Sequence, residues 1–355
     1  MTMTPLLLTT TEDGTGKTAI ALALAQLARE RDRTVGYMKP KGTRLQSTLG
    51  KTFDRDPVFA AELLDLDVDI EVLEPIVYSS TFIQGILRGH DDPAALRETV
   101  RERYEHLAAE ADFLAVEGGG HLETGAVIDL TDPQLAELLD ARVVLVTRHR
   151  RLEEVDATLA TAMRFGDRLE GVLFNAVEDG ALDDLEADVV PFLRQRGVPT
   201  VGTLPRRREL AGVPAGQLAE ELGAEVLVEA GLDGLVERFL IGAMGRDVAV
   251  GHFRRTRAAA VITGGDRADI QTAAIEAPGV RCLVLTGGHR PSQAVLGRAA
   301  AAGVPVILVG ADTRSAVERA EGVVRSGRTR DAEAVAVMRE LLTNHADVDR
   351  LLGDG

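Results

Sequence analysis

Leu8-Thr-Thr-Thr-Glu-Asp-Gly-Thr-Gly-Lys-Thr18 is the stretch whose reading decides the fold. It follows the short apolar run Pro5–Leu8 and opens into an amphipathic pattern over Ala19–Arg31. Strand, glycine turn and helix in that order are the setting a phosphate-binding loop requires. Gly14 and Gly16 let backbone N–H groups turn inward around phosphate oxygens; Lys17 would neutralise the β- and γ-phosphates, and the Thr18 hydroxyl would hold Mg²⁺. Thr11, Glu12 and Thr15 complete the candidate nucleotide-binding loop, to which an ordinary glycine-rich turn is the alternative. The pattern Gly-x-x-x-x-Gly-Lys-Thr would place glycine at position 11, where Thr11 stands. Glu12 occupies the place at which some dimeric variants of the loop carry a second lysine.

Outward from the loop, apolar strand candidates alternate with helical patterns. The strands are Leu6–Thr9, Thr34–Met38, Phe113–Val116, Val143–Val146, Gly171–Phe174 and Val201–Leu204; the helical runs include Asp92–Ala111, Gln134–Asp140 and Glu153–Phe165. This alternation predicts an α/β fold, a parallel sheet flanked by helices. Near 205–215 the Arg206-Arg-Arg208 run and Gly212-Val-Pro-Ala-Gly216 break the periodicity, and the pattern restarts with strands near Phe239–Ala243, Ala258–Thr263, Arg281–Thr286 and Pro305–Val309. Two domains are therefore expected, 1–205 and 206–355, the second with a core at about 215–335. The 355 residues, 45% hydrophobic, suffice for two such cores.

A formal charge of −16 argues against nucleic acid as the main partner. No segment reaches the ~18 apolar residues of a membrane span, and the first apolar run is too short for a secretory signal, so a cytoplasmic protein is expected. The single cysteine, Cys282, lies in an apolar run and reads as a buried core thiol. Only four of the 40 basic residues are lysines: Lys17, Lys39, Lys41 and Lys51. An acid-rich, lysine-poor chain suits salt-loving organisms, although GC-rich coding has the same effect. Either bias removes dispensable lysines, so the four that remain are candidates for chemistry.

Lys39 ends the second strand, where open α/β sheets bind ligands. It could reach the γ-phosphate or an anionic second substrate; a solvated pair with Lys41 is the alternative. Glu117, followed by Gly118-Gly-Gly120, ends the third strand and could touch Mg²⁺ directly or through water. Asp54 or Asp56 could complete the metal shell.

These residues carry a resemblance. Residues 1 to about 205 resemble the dethiobiotin synthetase family of P-loop proteins in the Thr-rich loop ending Gly16-Lys17-Thr18, in Gly36-Tyr-Met-Lys39-Pro40, in Val116-Glu117-Gly-Gly-Gly120, in Phe174-Asn175-Ala-Val177 and in Gly202-Thr-Leu-Pro205. The resemblance implies phosphate contacts from Lys17 and Lys39, Mg²⁺ ligation by Thr18, Asp56 and Glu117, and adenine contacts from Asn175 and the chain near Pro205. Thr10 stands where that family usually has glycine. Roughly 206–340 is similar to the DRTGG domain that accompanies this module in the amino-terminal half of long phosphate acetyltransferases, in Ile241-Gly-Ala-Met244, Val261-Ile-Thr-Gly-Gly-Asp-Arg267, Leu285-Thr-Gly-Gly-His-Arg-Pro291 and Gly303-Val-Pro305. No acetyltransferase domain, and so no acetyltransferase activity, is expected of the chain alone.

The resemblance implies an ATP- and Mg²⁺-binding regulatory or sensor ATPase module tied to a partner enzyme of acyl-CoA or acetate metabolism, and a homo-oligomer. The alternatives are an ATP-dependent carboxylate or carbamate ligase and a non-catalytic nucleotide-binding scaffold. From the residues alone, the Gly264-Gly265 and Gly287-Gly288 turns could form an anion pocket with Arg267 and Arg290, or be tight turns with Asp266 capping the next helix. The seven histidines show no metal-like pair; His149, within Arg148-His-Arg-Arg151 after a strand, could join the site but reads rather as part of a solvated basic loop.

Overall fold

A computed structural model describes residues 3–48, 51–326 and 331–354. They fall into two units, Met1–Arg207 with Thr329–Gly355, and Arg208–Arg328.

The first unit is built on six strands, β1 (Leu6–Thr10), β2 (Val35–Met38), β3 (Phe113–Glu117), β4 (Arg142–Thr147), β5 (Leu169–Val177) and β6 (Thr200–Pro205). Their order across the sheet is β6-β5-β4-β1-β3-β2, and every pairing is parallel. β1 and β3 are buried at every residue, because helices cover both faces of the sheet. The chain runs from β1 out to the β2 edge, returns to β3, then crosses to β4. The order therefore reverses beside β1, and the crevice at the strand C-termini opens there. Leu8 lies opposite Glu117, and Met38 opposite Val116, so the ends of β1, β2 and β3 are neighbours.

Helix α1 (Lys17–Arg29) follows β1 and is buried from Lys17 through Ala25. Its Ala- and Leu-rich surface has no polar face, so it needs cover on the side away from the sheet. The helices Ala332–His345 and Val348–Leu352 supply that cover, through buried Ala334, Val335, Met338, Leu341 and Leu342 in the former. Here the structure differs from the sequence expectation of a second domain running to 355. The alternation of strand and helix patterns cannot show a chain end that returns to an earlier helix.

Between β2 and β3 lies a segment that the sequence patterns do not disclose. It holds a short parallel pair, Lys41–Gly42 with Ile76–Val77, a hairpin of Leu45–Thr48 with Lys51–Asp54, and helix α2 (Arg55–Leu63). Asp54 caps α2 by accepting the Asp56 N–H at 2.9 Å. This segment carries half of the site described below.

The second unit is a five-stranded sheet of β7 (Glu225–Val228), β8 (Arg238–Ile241), β9 (Ala259–Gly264), β10 (Val280–Thr286) and β11 (Val306–Leu308), ordered β7-β11-β10-β9-β8 with only β7 antiparallel. Apolar clusters lie on both faces, one around Phe253, Ile270 and Leu283, the other around Leu218, Ile262 and Ile307. Cys282 is fully buried in β10, and burial pushes its thiol up to about 12. The glycine pairs lie in turns, the first closed by Arg267 N–H donating to Gly264 O at 3.1 Å and the second with Gly287 and Gly288 at φ 78° and 70°; their amides are taken up by other segments, Gly287 N–H by Ala311 O at 2.9 Å, Gly288 N–H by Val309 O at 3.2 Å and Gly265 N–H by Thr286 O at 3.1 Å. Arg267 pairs with Asp269 and Arg290 with Glu225. Asp266 does not cap the helix Ala268–Ile275, whose cap position is Arg267 with no side-chain hydrogen bond. Among the described residues no helix is long and apolar enough to cross a membrane.

Candidate nucleotide site

The loop between β1 and α1 turns on Gly14 (φ 71°) and Gly16 (φ 90°), both in the left-handed region. A Cβ at Gly16 would stand 2.6 Å from Asn175 Nδ2. That amide donates to Thr15 O at 2.8 Å, while Asn175 Oδ1 accepts the Ala176 N–H at 2.8 Å. Ala176 itself is held at φ 56°, a conformation that costs an alanine about 1–2 kcal/mol. Asn175 is thus placed under the loop as a backbone clamp. The threonines that stand where glycines were expected tie the loop to itself and to β4. Thr10 Oγ1 donates to Glu12 O at 2.8 Å and lies 3.0 Å from Thr15 Oγ1, and Thr11 Oγ1 lies 3.1 Å from Thr147 Oγ1. The Glu12 side chain pairs with Arg150 at 2.8 Å, and Arg148 donates to Gly14 O. Pro205 ends β6 opposite Val177, two residues past Asn175 on the neighbouring strand. His149 is buried, with its ring edge-on to Phe174 and its pKa lowered by burial, which is not the solvated position its basic surroundings suggested.

Lys17 is 6% exposed and has no hydrogen bond or ion pair among the described residues. Burial lowers its pKa to about 8, even though Glu117 and Asp132 pull it up; Arg44 and Lys39 add to the lowering. A buried ammonium with no acceptor has spare capacity for an anion. The next residue, Thr18, donates to Glu117 Oε1 at 3.0 Å and to Asp56 Oδ2 at 3.4 Å. Lys39 is enclosed: its Nζ lies 2.5 Å from Asp56 Oδ2, 2.8 Å from Asp54 Oδ2 and 3.8 Å from Glu117 Oε1. Burial alone would lower Lys39, but Asp56, Glu117 and Asp54 outweigh it and hold the lysine above its ordinary value. Tyr37 OH donates to Glu117 Oε2 at 2.7 Å; burial and the Glu117 carboxylate keep the phenol protonated well above its usual range.

The oxygens of Thr18, Asp56 and Glu117 converge as a hard donor set, which fits Mg²⁺. No group of three His, Cys, Asp or Glu side chains among the described residues is arranged to hold a metal by itself.

Sequence reasoning named Lys17, Thr18, Lys39, Asp56 and Glu117, and the structure brings these five together. It left Lys41 and Asp54 undecided and missed Tyr37, Arg44, Glu74 and Asp132. Lys41 is fully enclosed, donating to Thr124 O at 2.7 Å, Leu130 O at 2.5 Å and Asp132 Oδ1 at 3.0 Å. Asp132 also accepts the Thr9 hydroxyl at 2.6 Å and the Gly119 N–H at 3.0 Å, so one carboxylate ties β1 to the glycines after Glu117. A Cβ at Gly118 would stand 2.2 Å from Asp132 Oδ2, which explains glycine there. Glu74 accepts the Asp54 N–H at 2.8 Å through one oxygen; its other oxygen is buried without a hydrogen bond, and burial raises the carboxyl to about 7. The scarcity of lysine is the one sequence signal that pointed toward Lys41. For Asp132 and Glu74 there was none.

Against known proteins, residues 4–213 match the family described as an AAA domain, and residues 217–323 match the DRTGG domain. The phosphate acetyltransferase of Pseudomonas putida is 27% identical over 359 residues, covering 95% of this chain and 50% of its own length. That of Synechocystis is 24% identical over 307 residues, covering 82% of this chain and 43% of its own length. The ATP-dependent dethiobiotin synthetase of Methanocaldococcus jannaschii is 27% identical over 179 residues, 48% of this chain and 79% of that protein. The chain thus spans about half the length of the phosphate acetyltransferases it matches. With residues 4–213 and 217–323 so matched, the chain belongs to the AAA-domain family, with a dethiobiotin-synthetase-like P-loop and a following DRTGG domain.

Proposed function

We propose that the chain binds Mg·ATP in the loop from Thr10 to Thr18 and acts as a nucleotide-responsive regulatory module, a sensor ATPase, for an enzyme of acyl-CoA or acetate metabolism. The observation that carries the nucleotide reading is Lys17, a buried ammonium without an acceptor, set beside a hydroxyl and two carboxylates at the point where the strand order reverses. Lys17 would neutralise the β- and γ-phosphates, and the loop amides would take the remaining oxygens. Thr18, Asp56 and Glu117 are the residues that would hold Mg²⁺, which when bound polarises the terminal phosphoryl group. Lys39, held by Asp54 and Asp56, balances the charge of the carboxylates until the site is filled. The base would lie near Asn175 and Pro205. The regulatory part of the reading rests on kinship with the amino-terminal half of phosphate acetyltransferases and on the DRTGG unit. A homo-oligomer in the cytoplasm belongs to the same proposal.

ATP binding and phosphate release, measured with Mg²⁺ for the wild type and Lys17→Ala, test the proposal. Binding and slow turnover in the wild type, both lost in Lys17→Ala, are expected; absence of ATP binding in the wild type would refute it. The ligase alternative is favoured by Lys39 and Glu117 at the site, and predicts stimulation by 7,8-diaminononanoate with bicarbonate. Tight binding with no phosphate release would leave the scaffold.

A further inference from the structure

We infer that Arg44 is a further ligand-binding residue of this site, one that takes the terminal phosphate of a nucleoside triphosphate; the inference rests on the nucleotide reading above. Arg44 comes from the segment after β2 and not from the loop, and its place is fixed at the backbone. Its N–H and that of Thr43 both donate to Asp54 Oδ2 at 2.8 Å. The side chain then enters the same cluster as Lys17. Its Nη1 is buried and has no hydrogen-bond acceptor. A lysine so placed could shed its proton, but a guanidinium cannot, so a buried nitrogen without an acceptor remains a standing cost.

Asp56 does not remove that cost. Its Oδ2 lies 3.7 Å from Arg44 Nη1, beyond hydrogen-bond range, and the same oxygen already takes Lys39 at 2.5 Å and Thr18 at 3.4 Å. Burial works against the charge of Arg44, while Asp56, Glu117, Asp54 and Asp13 support it, and its own charge helps to depress Lys17. Arg44 thus shares the electrostatic field of the carboxylates that meet Thr18, with its Nη1 beside Asp56.

Of the three cations in the cluster, Lys39 is committed to carboxylates, whereas Lys17 and Arg44 have donors to spare. The planar guanidinium fork matches the oxygens of a phosphate in two parallel bonds, which an ammonium cannot do. The loop amides and the start of α1 serve the inner phosphates, and Lys17 bridges the outer two. An arginine brought in from outside the loop, with its Nη1 3.7 Å from Asp56 Oδ2, is left for the third phosphate. Its ligand class is thus the triphosphate and not the diphosphate.

The test is the affinity for ATP and for ADP, each with Mg²⁺, by isothermal titration calorimetry on wild type, Arg44→Gln and Arg44→Lys. Loss of a charge-assisted phosphate contact should weaken ATP binding about 10- to 100-fold in Arg44→Gln, with ADP within about threefold of wild type. Arg44→Lys, which keeps the charge without the fork, should fall between. Retained ADP binding reports that the variants are folded. If wild type binds both nucleotides and Arg44→Gln binds ATP as wild type does, or loses ATP and ADP equally, the assignment of Arg44 is overturned and the nucleotide reading stands. If wild type binds neither, the nucleotide reading itself fails.

Discussion

The Lys41–Asp132 pair offers the sharpest test of how the site is held together, because one isosteric substitution isolates its charge. Asp132→Asn keeps an oxygen for the Gly119 N–H and for Lys41, and presents an amide to Thr9, whose hydroxyl can accept as well as donate. Only the negative charge is lost. Lys41 then sits fully buried with two carbonyls and no counter-ion. Breaking a buried pair in this way costs roughly 3–5 kcal/mol. The loss has a ceiling, since Lys41, already lowered by burial against the pull of Asp132, can discharge instead. Discharging an ordinary lysine at pH 7 costs about 4.7 kcal/mol, from about 1.4 kcal/mol per pH unit.

Urea or thermal unfolding of the nucleotide-binding unit measures this. At about 2–4 °C per kcal/mol for a unit of this size, the midpoint of Asp132→Asn should fall by roughly 6–20 °C at pH 7. The deficit should shrink as pH rises toward 10, where discharge becomes cheap. Lys41→Met alone should cost less, because Asp132 keeps the Thr9 and Gly119 donors. The double variant Lys41→Met/Asp132→Asn should recover at least about 2 kcal/mol relative to Asp132→Asn alone. An Asp132→Asn protein within about 1 kcal/mol of wild type, or a double variant no more stable than Asp132→Asn, would refute the argument.

Gly16→Ala forces an alanine to φ 90° against Asn175, and should cut ATP affinity at least about tenfold; pairing it with Asn175→Ala removes the clash but not the backbone cost, so recovery should be partial. Glu74, raised to about 7 by burial, binds a proton in the folded state across a range where the unfolded carboxyl is ionised, so its contribution to stability is full below about 4.5 and is lost as pH rises to about 7. Glu74→Gln should therefore gain on wild type between pH 5 and 7 and hold a constant lead above, and a lead that does not change with pH in urea titrations would sink the burial argument. Leu342→Ala, in the helix covering α1, should destabilise the nucleotide-binding unit by about 2–5 kcal/mol and speed hydrogen exchange in α1; unchanged exchange there would mean the C-terminal helices are not its cover.

The central sheet was legible because parallel strands buried on both faces are continuous apolar runs, as in Leu6–Leu8 and Val143–Val146, whose pattern is local. The loop was legible because glycine spacing and a following helix are local too. What escaped depends on pairings distant in sequence. Asp132 sits 91 residues from Lys41 and 123 from Thr9, and no periodicity marks such a contact. Arg44 precedes, and Asp54 ends, a hairpin whose alternation is too short to register as strand. The C-terminal helices escaped for the same reason, since α1, which they cover, lies about 300 positions earlier; just past its end, exposed Glu30 pairs with Arg339.

Lysine scarcity turns out to be the sequence signal with the greatest structural content. A chain that replaces lysine by arginine wherever it can should keep lysine only where a compact ammonium does what a guanidinium cannot. Lys51 is an exposed residue, its side chain 82% accessible, and fits that rule least. The other three are each almost wholly buried, Lys17 at the start of α1, and Lys39 and Lys41 at and just after the end of β2. Lys39 fits a gap bounded by three carboxylates, and Lys41 a gap bounded by two carbonyls and a carboxylate; the planar fork of arginine is too wide to meet either set from one point. Lys17 differs in having no partner, and a guanidinium there could not approach neutrality as burial drives Lys17 to do. The division of labour follows from this: two lysines fix carboxylates, one lysine and Arg44 are left with donors, and a polyanion is the ligand that uses both.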